Sequence, residues 1–165
     1  MPDQDIAQPA KREPRFTIPS RTDWHTYAAV LYGVILLVWL STESTNMILT
    51  SFLGVGAAFG VLGLGIMHRY GGRVLSFHRW VAMMVGLGAA VGLGATAMTF
   101  FLMLFKNVQH AHVVPDFPWE MVSLIWLRAP AWTVAGALVG AAIGLLRLAF
   151  FDSSDTGADP ALEAE

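Results

Sequence analysis

Four stretches of this chain, residues 24–42, 47–67, 80–105 and 129–151, hold a single Lys, Arg, Asp or Glu between them, Arg147. An apolar helix of about 20 residues crosses a hydrocarbon core about 30 Å thick, so each stretch is the right length for one membrane span. Only 13% of the chain is charged, where soluble domains carry about 25%. Those charges are confined to the two ends and three short connections. The fold expected is an all-α integral membrane protein, a four-helix transmembrane bundle occupying residues 24–151. The third span is long enough to need tilt or an extra turn beyond the membrane. Arg147 can extend to the headgroups along its own aliphatic stem.

Orientation follows from the ten basic residues. Lys11, Arg12, Arg15, Arg21, Arg69, Arg73, Arg79 and Arg147 fall on one side of the spans, and Lys106 and Arg128 on the other. The positive-inside rule assigns the first group to the cytoplasm, which places both termini there and agrees with an even number of spans. Trp24, Tyr27, Tyr70 and Trp80 then stand at the inner interface, with Trp39, Trp119, Trp126 and Trp132 at the outer one, as aromatic belts require. The Ala- and Gly-rich spans and this charge bias suit a bacterial inner (cytoplasmic) membrane.

Residues 1–23 are polar and proline-bearing, with no apolar run near the start, so they do not read as a secretory signal. The segment from Pro14 to Pro19 reads as an extended tether. Residues 152–165 carry five acids and no base. Both tails are expected to be disordered. The first outer connection is a tight hairpin whose Ser and Thr residues can cap the second span. The inner connection turns on Gly71-Gly72. In the outer segment, residues 106–128, Pro118 and Glu120 favour a helix start, and a short helix lying in the outer interface is expected, delivering the chain to span four at Arg128. Starting span four at Trp119 instead would bury Arg128 in lipid, at a cost of about 2.5–3.5 kcal/mol.

Small residues set the packing. The pattern G-x-G-A-A-x-G occurs at Gly54 and again at Gly86, and span four steps through Gly136, Gly140 and Gly144. Glycines four apart share a helix face and admit close backbone approach, so Gly56, Gly60, Gly88, Gly92, Gly136, Gly140 and Gly144 are the expected packing positions. Most of the glycines fall in the inner half, while Phe100, Phe101 and Phe105 crowd the outer half of span three. A bundle tight toward the inside and splayed toward the outside is expected, with room at the splayed end for a lipid, a quinone or a partner's helix.

Chemistry-bearing residues are few. The central turns of the spans hold no ionisable side chain, which counts against an ion channel or an ion-coupled carrier. His110, His112 and Asp116 form a candidate metal set, since imidazole and carboxylate suit zinc, although a loop spacing fixes no geometry. His25, His68 and His78 are candidate cofactor ligands, because histidines from separate helices can clamp a haem; a basic rim against anionic headgroups explains them equally well. There is no cysteine, hence no thiolate chemistry, and no catalytic motif or required cofactor is legible. A net charge of −2 gives no reason to expect nucleic acid as a partner. Size, uncharged spans and glycine faces point to a non-enzymatic accessory or scaffold subunit of a larger membrane complex. The alternatives are a small homo-oligomeric transporter or pore, or a haem-, pigment- or quinone-binding subunit. The expected partners are the lipid bilayer and either other membrane subunits or further copies of the chain.

Overall fold

The computed structural model describes residues 15–20, 22–42, 45–110 and 115–155. Four of its helices are long and apolar enough to cross a membrane: α1 (Asp23–Ser41), α2 (Met47–Tyr70), α3 (Phe77–His110) and α5 (Ala129–Asp155). A short helix, α4 (Trp119–Leu127), precedes α5, and two three-residue strands, β1 (Arg15–Thr17) and β2 (Val74–Ser76), pair antiparallel. The end of the bundle carrying Arg69, Arg73, Arg79 and Arg147 is called the basic end below, and the opposite one the far end.

The helices start and stop for local reasons. The Asn46 side chain accepts hydrogen bonds from the Ile48 and Leu49 amides, at 3.0 and 3.1 Å, so asparagine, rather than the neighbouring Ser and Thr residues, caps α2. Gly72 ends the following turn with φ near 78°, a backbone that glycine adopts without steric cost. Pro118 stands at the N-cap of α4 and Glu120 in its first turn. Arg128 is an exposed corner residue between α4 and α5, so the apolar run from Trp119 is two helices and not one long one.

One expectation changes at the N-terminal side. The extended segment before α1 is a strand held by partners: Arg15, Phe16 and Thr17 pair with Ser76, Leu75 and Val74. The Ile18 amide donates to the Arg73 carbonyl at 3.0 Å and the Gly72 amide to the Ile18 carbonyl at 2.9 Å. Phe16 stacks on Trp80, ring centroids 5.5 Å apart, and Phe16, Ile18 and Trp80 form a buried cluster that plugs the basic end. Burial of two aromatics and an isoleucine offsets the entropy of fixing this segment. Residues 1–14 and 156–165, the rest of the expected tails, lie outside the described residues.

α3 is the mast of the molecule, with α5 on one side of it and α2 on the other. α1 meets the remainder chiefly near the far end, where Trp39, Leu40 and Leu53 are buried against Tyr32, Leu36 and Leu102. The Tyr32 hydroxyl donates to the Leu53 carbonyl across that contact.

Candidate functional site

The α3–α5 seam is built from glycine. A Cβ placed on Gly88 would collide with the Gly136 carbonyl, one on Gly136 with the Gly88 carbonyl, one on Gly92 with the Trp132 carbonyl, and one on Gly140 with the Met84 carbonyl. Helix backbones approach this closely only where side chains are missing. Gly144 makes ordinary contact, 3.4 Å from the Val81 Cα. Gly56 faces the ring of Tyr32 and no helix backbone, and a Cβ on Gly60 would meet nothing within 4 Å. Gly60 therefore makes no close contact within this chain, and Gly54, whose Cβ would strike Thr99, packs α2 against α3. The glycine periodicity alone did not separate these positions, because Gly54, Ala58 and Leu62 form the side of α2 that meets α3 while Gly56 and Gly60 point away from it.

A groove of about 490 Å³ lies on the face of α3, between α2 and α5. Val55, Phe59 and Gly63 form one wall, Leu87 and Val91 the floor, and Ala135 and Val139 the other wall. Phe59, Val139 and Ile143 are exposed at its rim, so the groove opens sideways. Trp80 and Ile18 close its basic end. The opening thus lies through the middle and toward the basic end, which corrects the expected splay at the far end. There the bundle is shut: Met103, Phe117, Val122 and Ile125 are buried together under α4.

The far end owes its closure to two polar residues that the sequence did not single out. The Asn107 side chain clasps the Phe117 backbone. Lys106 is fully buried, with its ammonium 4.3 Å from the centre of the Trp39 ring, a cation–π contact.

No family model, curated protein or solved structure matches this chain. The histidines must be judged on their surroundings alone. His25 belongs to the capping turn of α1, where its Nδ1 accepts from the Thr22 amide at 3.1 Å. His68 and His78 are exposed near the ends of α2 and α3, and none of the three lines the groove. His112 and the side chain of His110 lie outside the described residues, and Asp116 is half-buried, its charge attracting Lys106. Among the described residues no three His, Asp or Glu side chains come together as a metal cage.

Proposed function

We propose that this protein is a membrane-embedded, non-enzymatic accessory or scaffold subunit of a larger membrane complex. The observation that carries the reading is α1. From Trp24 to Val38 one broad face of the helix is exposed, carrying Trp24, Tyr27, Val30, Leu31, Val34, Ile35, Leu37 and Val38, while Tyr32 and Leu36 on the other side pack toward Trp39, Leu40 and Leu53. A helix in lipid satisfies its own backbone, so α1 needs no intramolecular partner to persist. It gains packing by meeting another helix through small residues. Ala29 and Gly33 provide that step, four residues apart at the margin between the exposed face and the side of Leu36 and Leu40, and a Cβ on Gly33 would meet nothing within 4 Å. The occupant proposed for this face is one apolar helix of another subunit.

In this reading the basic end faces the cytoplasm, both termini lie there, and α4 rests in the opposite interface of a bacterial inner membrane, as the distribution of Lys and Arg favours. The test is native mass spectrometry of the protein released from its own membrane in mild detergent, run with wild type and Gly33→Leu. A fixed-stoichiometry complex with a second membrane protein, lost in Gly33→Leu, supports the reading. Homo-oligomers alone would move the weight to a pore. The groove favours a second reading, a subunit that carries an apolar molecule; its lining offers no imidazole for a haem.

A further inference from the structure

We infer that the groove between α2 and α5 binds one acyl chain of an anionic phospholipid, with the headgroup held at the basic end by Arg147. The groove runs beside α3 from Trp80 to Ala95, about 22 Å at 1.5 Å per residue. That exceeds half the thickness of a hydrocarbon core of about 30 Å, so it is long enough to take the acyl chain of a lipid in one leaflet. An extended hydrocarbon chain, whose width follows from carbon contacts at 3.5–4.0 Å, displaces roughly 350 Å³. A groove of about 490 Å³ has room for one such chain.

Charge complementarity selects the headgroup. Ile143 lines the groove, and Arg147 stands four residues further on the same face of α5. Its guanidinium lies 5.6 Å from the centre of the Trp80 ring, directly at the closed end of the groove. Arg79 precedes Trp80 and is exposed beside it in sequence. Arginine is suited to phosphate recognition by its planar fork of donors. The lipid site is separate from the exposed face of α1, and it rests on the membrane placement proposed above.

The test is a lipid titration followed by native mass spectrometry, on delipidated full-length protein. The probes are dioleoylphosphatidylglycerol and dioleoylphosphatidylcholine, which share tails and differ in headgroup charge. Wild type is expected to bind the first phosphatidylglycerol about fivefold more tightly than phosphatidylcholine, the effect of one arginine near an anionic surface. Arg147→Gln is expected to abolish that preference. Gly63→Leu, which grows into the groove from a position whose Cβ meets nothing within 4 Å, is expected to weaken both lipids about tenfold without lowering the melting temperature. Ala135→Leu fills the groove from the α5 side and gives the same result if Gly63→Leu misfolds. Equal binding of the two lipids to wild type, or unchanged binding in both groove variants, would overturn the assignment. So would a protein-mass adduct that the groove variants remove. Release of the protein from washed membranes by high salt alone would refute the membrane placement and leave the lipid titration to be read separately.

Discussion

The side-chain amide of Asn107 grips the backbone of Phe117 twice, its Nδ2 donating to the Phe117 carbonyl and its Oδ1 accepting from the Phe117 amide, both at 2.8 Å. The pair behaves like two rungs of a sheet and pins the segment that leads into α4. Phe117 is thereby driven fully into the cluster with Met103, Val122 and Ile125. Asn107→Ala removes both bonds and strands two backbone groups, a loss of about 2 kcal/mol. Hydrogen exchange should then accelerate across residues 115–127 while the α3–α5 seam stays protected. Asn107→Asp can still accept from the amide but cannot donate, and it should fall between.

The glycines of the seam should separate cleanly from those that face open space. Gly88→Leu and Gly136→Leu force two backbones apart and should cost about 1–3 kcal/mol or more. Gly60→Leu and Gly86→Leu, where a Cβ would meet nothing within 4 Å, should leave stability almost unchanged. Thermal unfolding in detergent ranks the four variants, and equal melting temperatures would remove close backbone packing as the basis of the fold.

How far the sequence could be read follows from this contrast. Charge spacing brackets the four long helices and the short one before α5, although α3 begins before Arg79 and runs past the buried Lys106 to His110. Glycine spacing locates the α3–α5 seam at Gly88, Gly92, Gly136 and Gly140, but i and i+4 spacing states only that a face is small, not that a helix arrives there. Gly60 has the spacing and no neighbour; Gly54 meets Thr99. The strand at Phe16 carried only an extended-backbone signal, since its stability comes from Trp80, 64 positions away. The groove was misplaced because it depends on which sides of α3 the two neighbouring helices take, which no local pattern records.

Trp39 and Lys106 join α1 to α3, the ammonium lying 4.3 Å from the ring centre. A double-mutant cycle with Trp39→Leu and Lys106→Met should return a coupling of about 0.5–2 kcal/mol. Coupling near zero would mean that shape alone holds α1 at the far end.

Phe16→Ala should release β1 from the basic end. Truncating a buried phenylalanine costs about 3–5 kcal/mol, more than a three-residue strand pair returns. Limited trypsin digestion should then cut after Arg15 much faster than in wild type, read by mass spectrometry of the new terminus. An unchanged rate would show that the strand pairing holds without the Phe16–Trp80 stack.

The most direct test of the accessory-subunit proposal is the mass of the particle that α1 helps to form. Native mass spectrometry of wild type, Gly33→Leu and Gly86→Leu, each released from its own membrane in mild detergent, gives that mass. The predicted result is one fixed-stoichiometry complex with a second membrane protein in wild type and Gly86→Leu, and its loss in Gly33→Leu at unchanged melting temperature. A wild-type protein found only as monomer or homo-oligomer, or a complex indifferent to Gly33→Leu, would contradict it.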